Sequence, residues 1–546
     1  MYEHSVALTE EVHATLRDHL LRADGQEDIA LITYTVSTGA TRTTRVLHTV
    51  HLPGDGDRLV HGNATIYGSF VLRTAALAAS AGQGVAIVHS HPGARGWQGL
   101  SDLDTDAERS YATLVEQLTD LPLLGLTLAG DQTWSARVWM SRSPKWAGSV
   151  RRVGDALTVS WNDTLVVPPM RQKSQLRTVS AWGERGQDDI SRLRILVVGA
   201  GSVGMDVVQR LAATGIVELG VMDFDRVLEV NRDRMVGATR RDARLRRHKV
   251  AVAARLARRA ATAPGFVVHS HRDSVCTPRG LAAALDYDVI LSCVDRSWPR
   301  AVLNAVAYAD LIPVIDGGIA IDAHETGAVR GATRRTQTAT PGRPCLTCSG
   351  QIRMGDVPLE MSGDLDDPQY IRRAGREPVS GRANVAVLCA GVSASQLEHF
   401  VSLVARPGGQ GVPDPLRFIL ALHQLEHVSC STMPYCETEN RVAQSEMIEP
   451  TCFATTVRGR MTARSGPRGR GAGSRTGLTT CSSGWRTDDT ARPRFSAGRH
   501  DRVSAKRRNS RVRRLQMRRS AASGQPHVGN ALNSADPVTA GRWPPP

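Results

Sequence analysis

Ile195-Leu196-Val197-Val198-Gly199-Ala200-Gly201-Ser202-Val203-Gly204 is the stretch that decides the fold. Four consecutive apolar residues read as a buried strand. The G-x-G-x-x-G pattern that follows reads as a tight turn into a helix reaching about residue 214. Its glycines let the backbone approach phosphates at a helix N-terminus. Working outward, residues 217–222, 289–292 and 313–315 read as further strands and residues 250–261 as a helix. Strands alternating with helices predict a Rossmann-like parallel sheet in an α/β chain.

The glycine loop alone says only that a nucleotide binds, and a dehydrogenase fits it, with Asp223 ending the second strand. The residues beyond do not suit NAD. Asp223-Phe224-Asp225 is followed by Asn231-Arg232-Asp233-Arg234, by Lys249 opening a helix, and by Ser292-Cys293-Val294-Asp295. Cations around the phosphates plus a further carboxylate suit a reaction that neutralises a triphosphate and holds magnesium.

This order resembles the ThiF/MoeB/HesA family and the adenylation domains of ubiquitin-activating enzymes. The resemblance implies ATP-dependent adenylation of the C-terminal carboxylate of a ubiquitin-like or sulfur-carrier protein ending in Gly-Gly, by a homodimer with ATP and Mg2+. It implies a phosphate loop of Gly199, Gly201 and Gly204, an Asp-x-Asp of Asp223 and Asp225 with Asp223 on the ribose, phosphate contacts from Asn231, Arg234 and Lys249, and magnesium at Asp295. Arg177 would be the arginine supplied to a partner subunit.

Cys345-Leu346-Thr347-Cys348 is half of a tetrahedral zinc set. The family often closes it with a second pair, for which the candidates are Cys430 and Cys436, in a Cys-x5-Cys spacing that departs from the usual one. None of the nine cysteines lies in the first 275 residues, which argues against a disulfide frame. Cys276, Cys293 and Cys389 sit in no motif that marks a catalytic thiol.

A second centre stands upstream. An apolar strand at residues 85–88 ends in His89-Ser90-His91-Pro92, and strand alternation points both imidazoles to one face. Two histidines, a carboxylate and a water make an open zinc set. A helix is expected from Leu8 to Leu21, a strand at 29–36, a helix at 70–81, and strands at 123–128 and 135–140. His89-Ser90-His91-Pro92 followed by Ser101-x-x-Asp104 resembles the JAB/MPN (JAMM) metallopeptidase motif. That implies a second α/β fold and a zinc (iso)peptidase acting after ubiquitin-like proteins. His89, His91 and Asp104 would bind Zn2+, Ser101 would polarise the scissile carbonyl, and Glu27 would be the general base, with Glu10 and Glu11 as alternatives. The interval from His91 to Ser101 is two residues longer than the family's commonest, which leaves Asp102 as an alternative ligand.

The domain boundaries read from this are 1–145 for the metallopeptidase-like unit, 146–190 for a connector, 191–445 for the adenylation domain and 446–546 for a disordered basic tail. The net charge of +15 belongs to the tail: residues 451–546 hold 20 Lys+Arg against 4 Asp, and the first 450 hold 48 against 49 acids. Nucleic-acid binding by the folded part is therefore not expected. No apolar run of membrane-spanning length and no secretory N-terminus is read, so a cytoplasmic protein is expected. Two rival readings remain: an NAD-dependent oxidoreductase with an unrelated N-terminal module, and a non-catalytic JAMM-like binding module.

Overall fold

Leu8 belongs to a strand and not to the expected helix. β1 (His4–Thr9) is buried along its whole length, and the Thr9 hydroxyl then accepts the Val12 N–H to cap α1 (Glu10–Leu20). A strand here buries Val6, Ala7 and Leu8 on both faces of a sheet, which a helix starting at Leu8 would not. The structure, a computed structural model, describes residues 3–140, 143–324, 327–374 and 383–445.

The chain continues through β2 (Ile29–Thr38), β3 (Thr43–His51), the hairpin β4 (Arg58–His61) and β5 (Asn63–Ile66), α2 (Gly68–Ser80), β6 (Gly84–His91), α3 (Asp102–Thr119), β7 (Leu124–Ala129), β8 (Trp134–Met140), β9 (Ser143–Trp146), β10 (Ser149–Val153) and β11 (Leu157–Trp161). Among the described residues these form a nine-stranded sheet in the order β11-β10-β1-β3-β2-β6-β7-β8-β9, with β4 and β5 apart. Residues 146–190, read as a connector, thus supply β10 and β11 to this sheet, and β10 pairs in parallel with β1. They also supply most of α4 (Leu176–Arg192), which is kinked at Gly183.

The second sheet follows from β12 (Arg194–Val198), α5 (Ser202–Ala213), β13 (Glu218–Met222), α6 (Arg240–Arg244), α7 (Lys249–Ala260), β14 (Val267–His271), α8 (Pro278–Ala284), β15 (Val289–Ser292), α9 (Ser297–Ala309), β16 (Val314–Ala323), β17 (Val329–Ala339), α10 (Val357–Ser362), α11 (Pro368–Arg373), α12 (Ala386–Ala405), β18 (Leu416–Ile419) and β19 (Gln424–His427). Its order is β14-β13-β12-β15-β16-β17-β18-β19. The first five strands are parallel and the last three antiparallel. Arg194 to Val198 are all buried, as a parallel strand covered on both faces requires. The strand order reverses at β12 and β15, so the crevice past their carboxyl ends is where such sheets bind ligands.

One core links the sheets. Ala7, Val46, Val153 and Leu157 pack in one cluster with Ile190, Leu193, Val207 and Leu211. Burying an aliphatic side chain of this size contributes roughly 1.5–3 kcal/mol. Among the described residues, α12 is the most apolar long helix. This helix is long and apolar enough by length and composition to cross a membrane. It packs instead against α5, β16 and β17, with Gln396 Nε2 donating to the carbonyls of Ser292 and Ile315. It is a core helix. The basic tail lies outside the described residues.

Candidate active sites

At the end of β6 the alternation of side chains separates two jobs. Ser90 points to one face, where its hydroxyl donates to Leu20 O at 2.7 Å and accepts the Asp28 N–H at 3.0 Å. His89 and His91 point to the other, with their Nε2 atoms 3.2 Å apart. Asp104 completes the set, its carboxylate 3.7 Å from His89 Nε2 and 3.8 Å from His91 Nε2. The three ligand atoms lie within 4.8 Å of one another. Asp102 is exposed and outside this set, so the added loop length before Ser101 is absorbed and Asp104 is the acid at the histidines.

Ser101 has a definite local role. It is the N-cap of α3, its hydroxyl donating to Asp104 Oδ2 at 2.7 Å and accepting the Asp104 N–H at 3.1 Å in a capping box. The cap aims Asp104 at the histidines. Polarising a substrate carbonyl would require this hydroxyl to leave Asp104. Glu27 is half-buried beside the cluster. Burial pushes its carboxyl up, with His91 opposing and Asp104 adding to the effect. Glu10 is paired instead with Arg152 at 2.9 Å.

The two imidazoles are shifted in opposite directions. Burial, and then the Arg137 guanidinium, push His89 down to about 3, so its imidazole is neutral, as a metal ligand must be. Asp104 beside it raises His91. Burial would raise Asp104, but His91, His89 and the Ser101 donors outweigh it and hold the carboxyl well below the usual range. Sequence reasoning missed what stands behind His89. Arg137, fully buried, forms a two-pronged pair with Glu108, and its Nη1 donates to Thr127 Oγ1 at 2.7 Å. Thr127 Oγ1 is 3.5 Å from His89 Nε2. Gly125 makes room, since a Cβ there would lie 2.3 Å from Glu108 Oε2.

The second centre forms where β12, β13 and β15 end. Gly199 has φ +98°, and a Cβ on it would lie 2.6 Å from Cys293 O; a Cβ on Gly204 would lie 1.9 Å from Gly199 O. Nothing stands within 4 Å of a Cβ on Gly201, so the loop is open on its outer side. Asp223 ties the elements together. Its Oδ2 accepts the Ala200 N–H at 2.8 Å and its Oδ1 the Asp225 N–H at 2.7 Å. Lys249 Nζ meets Asp225 Oδ2 at 2.8 Å and stands 3.9 Å from Asp223 Oδ2. Burial pushes the Asp223 carboxyl up, with Lys249 opposing; burial pulls Lys249 down, but Asp223 and Asp225 outweigh it and raise the amine. Asp295 is near enough to Lys249 to add to that rise.

Asn231 and Lys249 line a hollow of about 330 Å3 with Phe224, Asp225, Arg226, Leu228 and Arg246. Arg234 adjoins the glycine loop through its carbonyl, which accepts from Ser202 Oγ at 2.8 Å, while its guanidinium turns to Val230 O and Asp233. Asp223, Asp225, Asn231, Lys249 and Asp295 are therefore brought together, whereas Arg234 joins the loop by its backbone alone and Arg177 is exposed on α4. The Asp295 segment is clamped: Arg300 Nη2 donates to Val294 O at 2.6 Å, and Glu360 of α10 accepts the Ser297 and Trp298 N–H groups. Burial pushes the Cys293 and Cys276 thiols up to about 12, which leaves neither as a ready thiolate. Cys389 lies close to Ser202 and Arg234, and burial raises it as well.

The cysteine cluster differs from the expected four-Cys set. Cys345, Cys348, Cys436 and Glu439 bring their ligand atoms within 4.8 Å of one another, and Cys430 is not among them. Cys345 and Cys436 Sγ atoms are 3.6 Å apart, and the Cys348 and Met433 N–H groups point at cysteine sulfurs at 3.4 and 3.3 Å. The missed signal was Cys436-Glu437-Thr438-Glu439, which repeats the three-residue step of Cys345 and Cys348 with a carboxylate as its second member. Three sulfurs and a carboxylate oxygen suit zinc.

A ThiF family profile matches residues 173–440. The chain is 31% identical over 172 residues to the mouse adenylyltransferase and sulfurtransferase MOCS3 (Mus musculus), covering 30% of this chain and 33% of that protein. It is 30% identical over 170 residues to the molybdopterin-synthase adenylyltransferase of Escherichia coli K12, covering 31% of this chain and 62% of that protein. The crystal structure of E. coli MccB with MccA-N7isoASN aligns at a TM-score of 0.40 and 15% identity, over 49% of this chain and 75% of that one. The chain thus spans less than two thirds of the length of the curated relatives it matches. Residues 173–440 are a ThiF family domain.

Proposed function

We propose that the ThiF domain adenylates the C-terminal carboxylate of a sulfur-carrier or ubiquitin-like protein ending in Gly-Gly, with ATP as substrate and Mg2+ at Asp295. The observation that carries this is the gathering of Asp223, Asp225, Asn231, Lys249 and Asp295 by the glycine loop at the point where the strand order reverses. Lys249 supplies a cation that a triphosphate and a departing pyrophosphate need, in a half-buried crevice where such a charge acts strongly, and the Arg234 guanidinium would join it by leaving Asp233. An NAD site does not need them. The relatives named adenylyltransferases support the same reading. ATP–pyrophosphate exchange with purified carrier proteins tests it; no exchange with any Gly-Gly carrier, in a preparation that binds ATP, would sink it.

The same proposal assigns His89, His91 and Asp104 to zinc, in a (iso)peptidase centre acting on the same tail, with Glu27 as general base. What supports it is the convergence of three ligand atoms from β6 and α3 beside a carboxyl whose pKa is raised. Zinc there would supply Lewis acidity and lower the pKa of a bound water. Glu27 would take the proton, Ser101 and the α3 cap would hold Asp104 in place, and burial, aided by Arg137, would keep His89 neutral. Cleavage of a carrier–reporter fusion checks this. Activity that survives both His89→Ala and zinc chelation would refute it and favour the non-catalytic binding module.

A further inference from the structure

Residues 239–259, running from the cap of α6 through α7, hold nine Arg and Lys against one Asp. The first 450 residues hold 48 against 49 acids, so this surplus is local. The single acid, Asp242, is 1% exposed and already engaged by Arg255 at 2.6 Å and Arg247 at 3.5 Å. Arg240, Arg241, Arg244, Arg246, Arg258 and Arg259 are exposed, and none has an acidic partner within 4.0 Å among the described residues. Arg240 and Arg244 are one turn apart on one helix, a like-charge pairing that opposes the helix it sits on. A partner of opposite sign removes that repulsion.

The ridge opens onto the candidate nucleotide site. Arg246 and Lys249 line the hollow, and Arg226 Nη1 donates to Arg246 O at 3.0 Å, so ridge and hollow share one stretch of backbone. We infer that this arginine ridge docks an acidic face of the carrier protein, and so orients the carrier while its tail enters the hollow. The identity of the partner rests on the adenylation reading above. An extended tail spans about 3.3 Å per residue, so a tail of a few residues can leave a body held on the ridge and enter the hollow that Arg246 and Lys249 line. Residues 239–259 contain no Phe, Tyr or Trp, so the ridge lacks the stacking platform that single-stranded nucleic acid uses. Guanidinium forks match carboxylates in pairs, and such surfaces act mainly on encounter rate and orientation, in a salt-dependent way.

The test uses the full chain and three fluorescein-labelled probes: a short Glu-rich peptide ending in Gly-Gly, a Ser-rich peptide with the same end, and a short single-stranded RNA. Anisotropy titrations compare wild type with R240E/R241E/R244E and with the milder R258Q/R259Q, whose far-ultraviolet circular dichroism is checked against wild type. The basic residues after 450 are present in every variant, so the differences report the ridge. The expected result is a roughly tenfold weaker Kd for the acidic peptide in the triple reversal and a smaller loss in the double variant, both shrinking at high salt, with the neutral peptide unchanged. Unchanged affinity for the acidic peptide in both variants overturns the proposal. RNA binding that is tighter than the acidic peptide and equally dependent on the ridge also overturns it, in favour of nucleic acid. Pyrophosphate exchange separates the two readings. Ridge-dependent peptide binding with no exchange for any Gly-Gly carrier discards adenylation and leaves the acidic partner. Exchange with ridge-independent binding discards the ridge alone.

Discussion

Arg42 and Asp288 meet at 2.6 Å with neither side chain exposed, and Arg151 reaches the same carboxylate oxygen at 2.6 Å. Arg42 precedes β3 and Arg151 lies on β10, whereas Asp288 precedes β15, so one carboxylate joins the two sheets. Its second oxygen accepts the Arg194 N–H at 2.9 Å. Breaking a buried pair by removing one partner leaves an uncompensated charge and costs about 3–5 kcal/mol. Asp288→Ala, which strands two guanidiniums, is therefore expected to lower the urea midpoint more than Arg42→Ala, which leaves Arg151 in place. Equal loss from both would argue that the carboxylate does not join the sheets.

The same carboxylate sets an acid limit. Burial would raise Asp288, but Arg42 and Arg151 outweigh it and hold it at about 2. The folded pKa is below the unfolded value, so its contribution is present above about pH 4 and is lost as pH falls through 2. Wild type should lose stability faster than Asp288→Asn between those values, as followed by denaturant titration at each pH.

Asp310 works in the opposite sense. It is fully buried after α9, and burial pushes it up to about 7 against the opposing influence of Ser37 and Arg151. An acid whose folded pKa is raised keeps its proton in the fold and loses it when unfolded. Stability should therefore fall as pH rises from about 4 to 7, by up to about 1.4 kcal/mol per unit, and level off above that. Asp310→Asn should lack this slope and be more stable than wild type at pH 8. A variant that is less stable there would show that the carboxylate is charged and paired.

Metal content distinguishes the cysteines. Loss of zinc, read by plasma mass spectrometry, is expected in Cys345→Ser. Glu439→Gln should weaken retention against a chelator by about 10–100-fold, the scale of an altered ligand environment. Cys430→Ser should retain the metal. His89→Ala should remove a separate equivalent, and Asp104→Asn should do so where Asp102→Asn does not.

Lys249→Ala is expected to cut pyrophosphate exchange by about 100-fold or more, on the scale of removing one preorganised electrostatic group. Gly204→Ala should act differently, through the fold: its Cβ would lie 1.9 Å from Gly199 O, so thermal stability and ATP binding should fall together. Normal stability in Gly204→Ala would contradict the close packing of loop and helix.

The sequence by itself determined what depends on neighbours along the chain. The strand-turn-helix at 194–213 follows from an apolar run and glycines that only a tight turn accepts, and the shared face of His89 and His91 follows from strand alternation. The acidic residues that follow β13 and β15 could be placed by the same means. Tertiary structure decided the rest, because it required knowing which distant segments meet. Asp104, and not Asp102, faces the histidines because the capping box turns it toward β6. Glu439, and not Cys430, stands in the cysteine cluster because the residues after β19 bring it back to Cys345, 94 positions earlier, where it accepts that residue's N–H at 2.8 Å. Residues 146–161 read as polar connector because β9 to β11 are short and carry Arg and Ser. Those arginines become core only when Arg151 finds Asp288, 137 positions away, and no local pattern announces a charge that will be buried by its partner.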